Sequence, residues 1–298
     1  MIREALAGAI SSALNAAGDS GPIRQIVTLS GGDINQAARI DTPQARYFVK
    51  WHAAPPPEFF ESEARGLRLL GAAGHVRVPA VIGWGQVPGG KGAFLILEFI
   101  EPGSRTGKAA ECLGRQLAWQ HLARQPQYGL DHDNYIGRLS QPNRPAHSWV
   151  DFYASQRLAP QRDLAARLGH LPARRAAMLD QLIERLGKWI DESHCQPSLL
   201  HGDLWGGNWM ADGSGSPVLI DPAVAHGDRE LDLAMTALFG GFPAAFYDAY
   251  REAFPLAAGY EDRQLLYQLY YLLAHLNLFG EGYGGGVDAV LQHYTGSR

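Results

Sequence analysis

With 298 residues, 46% hydrophobic and 19% charged, the chain can bury a sizeable core and is too apolar for a disordered one. A formal net charge of −4 and a pI near 6.2 leave no basic footprint for nucleic acid or an anionic membrane. Two cysteines, Cys112 and Cys195, lie far apart in no metal-ligand spacing, which predicts a protein of the reducing cytoplasm.

From the start of the chain, Ile2, Leu6, Ile10 and Leu14 recur every fourth residue. That spacing predicts an amphipathic helix over 1–17 rather than the apolar run of a signal peptide. A strand over 23–29 leads into Ser30-Gly31-Gly32-Asp33-Ile34-Asn35, and a second short strand comes after it over 37–40. Two glycines let backbone N–H groups approach phosphate oxygens because no Cβ intervenes, although the same pair also serves a plain hairpin turn. The third strand, 44–51, ends in Tyr47-Phe48-Val49-Lys50, and three prolines (Pro55 to Pro57) precede a helix marked by Phe59, Phe60, Glu63, Leu67 and Leu70. Of the four lysines, only Lys50 ends an apolar strand that precedes a helix. A strand lysine paired with a helix glutamate is the arrangement that sets an ammonium on nucleotide phosphates. Glu61 competes for the pairing, but Glu63 lies four residues before Leu67 and so nearer the buried stripe.

Strands are expected next over 80–86 and 93–99, turned by Pro88-Gly89-Gly90. The apolar run from Ala93 to Ile100 is interrupted by Glu98 and is too short to span a bilayer. At Glu101-Pro102-Gly103 the pattern changes, and most of the remaining chain reads as helix. We therefore expect an α+β chain with a small sheet-rich lobe, 1–101, and a larger helical lobe, 102–298. A cleft between lobes is the usual place for a small-molecule site. The end of the last strand, Glu98, Phe99 and Ile100, would offer backbone groups to an adenine ring.

In the second lobe, helices are expected over 109–124, 149–158, 164–168 and 174–194. His121 reads as a helix-face histidine. Asp131-His132-Asp133-Asn134 reads as turn chemistry rather than a metal site. Asp228 and Asp232 stand where a helix opens and would cap it. An aromatic-rich helix over 267–279 holds His275 and Asn277.

The stretch that carries chemistry is Leu199-Leu200-His201-Gly202-Asp203-Leu204-Trp205-Gly206-Gly207-Asn208-Trp209, with Val218-Leu219-Ile220-Asp221-Pro222 beyond it. Asp203 and Asn208 are five residues apart, the spacing of the aspartate and asparagine in a kinase catalytic loop. A carboxylate there orients a substrate hydroxyl, while an asparagine and a second, strand-borne aspartate hold magnesium on the nucleotide phosphates. That reading predicts Asp203 as the base and Asn208 and Asp221 as Mg2+ ligands beside a nucleotide.

Taken together, these motifs resemble those of the fructosamine (ketosamine) kinases, relatives of the aminoglycoside and choline kinases within the protein-kinase-like fold. The resemblance runs over the Ser30 to Asn35 loop, Phe48-Val49-Lys50, the Glu63 helix, His201 to Asn208 with its Trp205, Asp221-Pro222-Ala223, Leu238 to Phe242 and Leu265 to Phe279. It implies phosphorylation by ATP of the 3-hydroxyl of a ketosamine, a small glycated amine, and hence a deglycation activity. It also implies that Gly31 to Asn35, Lys50 and Glu63 serve the nucleotide and that Trp205 and His275 face the substrate. Some relatives carry a subunit-linking cysteine in the phosphate loop; this loop has none, so that redox behaviour does not carry over. The alternative is a kinase of another small hydroxyl compound, such as an aminoglycoside or a choline-like alcohol.

Overall fold

The computed structural model describes residues 2–29, 35–90 and 92–296. Helix α1 (Ile2–Ala16) lies on a five-stranded antiparallel sheet of β1 (Gln25–Leu29), β2 (Gln36–Asp41), β3 (Arg46–His52), β4 (Val81–Gln86) and β5 (Ala93–Glu98), in the order β1-β2-β3-β5-β4. Helix α2 (Phe59–Ala73) covers its other face. Side-chain alternation in β5 makes this sandwich: Phe94 and Ile96 meet Leu6, Ile10 and Leu14, while Ala93, Leu95 and Leu97 meet Phe59, Phe60, Ala64 and Leu67. In β3 the same alternation sends Tyr47 and Val49 to the α1 side and Phe48, with Lys50 at its parity, to the α2 side. Gly74, at φ 73°, ends α2 with its N–H on the Gly71 carbonyl.

The chain leaves the sheet along Pro102 and Gly103, which pair with the hairpin of β9 and β10 described below: Gly103 N–H donates to Ala211 O at 2.8 Å. Helix α3 (Gly107–Leu122) starts at Thr106, whose hydroxyl accepts from Ala109 N–H. A small hairpin, β6 (Asn134–Ile136) and β7 (Leu139–Gln141), precedes a long helical run: α4 (Trp149–Phe152), a π-helical stretch over 153–158, and α5 (Ala159–Leu168). Next come α6 (Ala173–Glu184), β8 (Ser198–Leu200), β9 (Trp209–Ala211), β10 (Pro217–Leu219) and β11 (Ala225–Gly227). The chain closes with α7 (Glu230–Leu238), α8 (Ala244–Ala253), α9 (Tyr260–Phe279) and α10 (Gly284–Thr295). The main helical core gathers Trp149, Phe152 and Tyr153 around Tyr267, Tyr270 and Tyr271 of α9; a second core joins α3 to α8.

Two helix expectations need correction. The segments over 149–158 and 164–168 are one continuous run, because the π turn just before Pro160 widens the helix where a proline lacks its donor. The helix expected over 174–194 stops at Glu184, and short 3₁₀ turns at 186–188 and 192–194 continue the apolar spacing, burying Leu186 and Ile190. No described helix is long and apolar enough to cross a membrane.

Candidate active site

The turn that holds Asp203 begins where β8 ends. His201 is buried, and its Nε2 lies 2.9 Å from the Ile220 carbonyl while its Nδ1 is 3.2 Å from Asp203 N–H. A carbonyl can only accept and a backbone N–H can only donate, so the ring carries its proton on Nε2. Burial lowers its pKa, which keeps it neutral in this role. Gly202 sits at φ 83°, and a Cβ there would stand 1.9 Å from the Ala223 carbonyl oxygen. Only glycine fits between the two chain segments.

Asp232 anchors this turn. It is fully buried on α7 and accepts the His201 N–H at 2.7 Å and the Gly202 N–H at 2.8 Å, with His121 Nε2 at 3.2 Å. Burial pushes its carboxyl up, but these donors win and hold it below the ordinary carboxylate range. The expectation that Asp232 simply caps a helix is therefore corrected: its oxygens serve a loop 30 residues away in sequence. His121 lies on the buried face of α3 with Leu113, Leu117 and Ala118, as expected for a helix-face histidine, between Asp232 and the Tyr250 hydroxyl.

The fold brings Lys50, Glu63, Asp203, Asn208 and Asp221 onto one cavity of about 520 Å³. Lys50 Nζ makes an ion pair with Glu63 and donates to Asp221 Oδ1 at 2.7 Å. Glu61, the competing partner, pairs with Arg65 one turn along its own helix. Burial disfavours the Lys50 ammonium, yet Asp221 and Glu63 outweigh it and raise its pKa. Asn208 Nδ2 donates to the Asp203 carbonyl at 2.8 Å and to Asp203 Oδ2 at 3.1 Å. Its donors are thereby spent, and Oδ1 is the atom left to bind a cation. Burial and then the nearby Asp221 push the Asp203 carboxyl up to about 7, with the Asn208 amide pulling the other way. Asp221 itself has φ 54°, a left-handed conformation rare outside glycine and typical of strained functional positions.

The remaining residues expected at the site are divided between this cavity and the surface around it. Asn35 lines the cavity beside Ala37 and Phe48; Gly31, Gly32, Asp33 and Ile34 lie outside the described residues. Glu98, Phe99 and Ile100 do not line it. The Glu98 carboxylate accepts from Arg77 and from Ala80 N–H, its own N–H donates to Ala80 O, and Phe99 lies beneath the Arg39 guanidinium. Trp205 is 42% exposed on the cavity wall rather than packed in the core, and its ring lies over Gly207, where a Cβ would be 2.2 Å from it. His275 of α9 faces the same cavity. In the Asp131 to Asp133 loop, His132 Nδ1 lies 2.5 Å from Asp131 Oδ1 and Asp133 accepts Asn143 N–H.

Three supports carry no sequence signal of their own. Arg105 reaches over the Trp209 ring and donates to the Gly206 and Trp209 carbonyls, clamping the arm of the turn that runs from Asp203 to Trp209. Asn134 Nδ2 donates to Val224 O at 2.8 Å, and Gln141 Nε2 donates to Ala223 O at 3.1 Å, which holds the chain just after Asp221. Both belong to a buried network through Asn143, Arg157 and the Tyr270 hydroxyl.

A family model described as Fructosamine kinase matches residues 7–296. The chain belongs to the fructosamine kinase family. An Enterococcus faecium protein named a probable ketoamine kinase is 43% identical over 270 residues, covering 91% of this chain and 95% of that one. A solved structure from Thermobifida fusca, assigned as a fructosamine-3-kinase, superposes with a TM-score of 0.86 at 32% identity, covering 98% of each chain. An aminoglycoside phosphotransferase shares the two-lobed, protein-kinase-like fold alone, with a TM-score of 0.64 at 15% identity over 98% of this chain and 99% of that one. The mixed helix and antiparallel-sheet architecture of this family member is thus the α+β kinase-like one.

Proposed function

We propose that this fructosamine-kinase-family enzyme transfers a phosphoryl group from ATP to the 3-hydroxyl of a ketosamine. The observation that carries the reading is the joint placement of Lys50, Asp203, Asn208 and Asp221 on a single cavity, in a chain of this family. In it, Asp203 accepts the proton of the attacking hydroxyl, which then bonds to the γ-phosphorus as ADP leaves. Lys50, fixed by Glu63 and Asp221, meets phosphate oxygens with its ammonium. Asn208 Oδ1 and the Asp221 carboxylate are hard oxygen donors that would suit Mg2+, and the Asn208 amide N–H groups are already turned to Asp203. A bound magnesium would supply charge neutralisation on the β- and γ-phosphates. Asn35 and the loop from Gly31 to Ile34 would meet the phosphates. In the Glu98 to Ile100 segment the Phe99 and Ile100 backbone would serve adenine beside this cavity, the Glu98 N–H being spent on Ala80 O.

The product explains the deglycation activity. Loss of a C1 proton turns the 3-phosphate into its C1–C2 enaminol. The nitrogen lone pair then pushes through C1 and C2 to form a C2–C3 double bond as phosphate leaves with the C3–O bond pair. Water hydrolyses the resulting C1–N imine, freeing the amine. We take the lobe boundary near residue 101, where the chain leaves β5. A small glycated amine is the substrate. The alternative of a polycationic aminoglycoside is disfavoured, because the only acids lining the cavity among the described residues are Glu63, Asp203 and Asp221. The deciding experiment is ATP consumption over a panel of ketosamines, aminoglycosides and choline, with the phosphate position assigned by NMR. Turnover of ketosamines at the 3-hydroxyl is expected; turnover confined to aminoglycosides or choline would overturn the assignment.

A further inference from the structure

Beyond the catalytic carboxylates, one wall of the cavity is built of aromatic rings around His275. Ring centroids of Phe239, Tyr283 and Phe279 lie 4.7, 5.0 and 5.6 Å from the His275 ring. Phe239 and Tyr283 stand edge to face, at 88° and 6.5 Å. Phe239 and Phe279 are 42% and 49% exposed and both pack on the His275 ring, so they form one contiguous exposed apolar patch. The wall is held close to Trp205. A Cβ at Gly206 would lie 2.9 Å from Gly240 O, so the loop carrying Trp205 and the loop carrying Phe239 meet glycine to glycine.

His275 Nδ1 lies 2.8 Å from the Tyr271 carbonyl, which can only accept, so the proton is on Nδ1 and Nε2 is left as an acceptor. Burial lowers its pKa, and the neutral ring does not repel a cation. The wall contains no carboxylate, and the only lysine or arginine lining the cavity among the described residues is Lys50, already held by Glu63 and Asp221. A ketosamine, on the reading above, carries a secondary ammonium on C1, two carbons from the reacting hydroxyl carbon. With that hydroxyl at Asp203, the nitrogen needs an acceptor and a negative surface nearby. Aromatic faces provide such a surface without a charge.

We propose that Phe239, His275 and Tyr283 form the subsite that reads the positive charge of the substrate's amine, with the ammonium N–H donating to His275 Nε2 and the charge resting on the two ring faces. This rests on the ketosamine reading and adds the group that selects within it. The enzyme should therefore favour a ketosamine over the N-acetyl derivative of the same compound, which keeps the sugar and loses the charge.

The test measures kcat/KM for a ketosamine of a simple alkylamine and for its N-acetyl derivative, in wild type, Phe239→Leu, Tyr283→Leu, His275→Gln and His275→Leu. The ratio of the two values is taken within each preparation, so an inactive fraction cancels. Wild type should prefer the amine, and both ring variants should lower that preference about 3- to 30-fold, through KM. His275→Gln, which keeps an acceptor, should retain more of it than His275→Leu. An unchanged ratio in both ring variants, or a wild type indifferent to acetylation, overturns the subsite while leaving ketosamine phosphorylation standing. A wild type that turns over no ketosamine removes the functional reading and the subsite with it.

Discussion

Asp232 and Gly202 are 30 residues apart in sequence, yet one oxygen of the aspartate accepts the glycine N–H at 2.8 Å while the other takes the neighbouring His201 N–H at 2.7 Å. The turn that holds Asp203 is therefore hung from α7 by a buried carboxylate. Replacing Asp232 by alanine leaves two buried amides without acceptors, a loss of about 3 kcal/mol or more. Asp232→Asn keeps one acceptor and should fall between. Urea denaturation gives the stabilities; an Asp232→Ala variant as stable as wild type would show that the turn stands without its anchor.

Asp203→Asn separates stability from turnover. The carboxyl sits at about 7 in the folded chain against an ordinary value near 3.8, so the folded state holds a proton that the unfolded state releases. Stability contributed by this group is full below about pH 4 and is lost as pH rises through about 7. Asparagine never ionises. The metal-free variant should thus melt above wild type at pH 8, with the gain shrinking toward pH 4, while kcat falls about 10²–10⁴-fold. Equal melting curves at pH 8 and pH 4, or a kcat within tenfold of wild type, would remove the carboxylate from this role.

Whether a feature is readable in the sequence depends on whether the forces behind it act locally. The sheet lobe was legible because burial on two faces writes a period of two into β3 and β5, and that same parity places Lys50 toward α2. The spacing of Asp203 and Asn208 was legible because a single loop sets it. Asp232 was not, since an aspartate near a helix start looks the same whether it caps that helix or holds a distant loop. Arg105, Asn134 and Gln141 act through contacts with backbone carbonyls far along the chain, which leave no pattern in composition or period. The end of α6 was misplaced because 3₁₀ turns keep burying Leu186 and Ile190 after the α-helix has stopped.

Lys50 and Glu63 should behave as one unit. Lys50→Met removes the cation that both Glu63 and Asp221 face, and a loss of about 10²–10³ in kcat/KM is expected. Once the lysine is gone, Glu63 has nothing to position, so adding Glu63→Gln should cost little more. The check is a double-mutant cycle on kcat/KM. Losses that multiply fully in the double mutant would mean the glutamate acts independently of the lysine.

Gly202 and Gly215 form a matched pair for testing what the turn that holds Asp203 requires. Their φ angles are 83° and 84°, so alanine meets the same left-handed backbone penalty at both, about 1 kcal/mol. They differ in space: nothing lies within 4 Å of a Cβ at Gly215, whereas at Gly202 it would stand 1.9 Å from Ala223 O. That oxygen belongs to the segment just after Asp221, and the Ala223 N–H donates back to His201 O at 2.9 Å. The clash therefore separates the two halves of the site. Gly215→Ala should lose about 1 kcal/mol and remain active. Gly202→Ala should lose several times that and most of its turnover, with magnesium dependence weakened because Asp221 moves relative to Asn208. Denaturant midpoints and kcat measured over a magnesium titration distinguish the cases, and two variants of equal stability and activity would show that the close approach at Gly202 is not required.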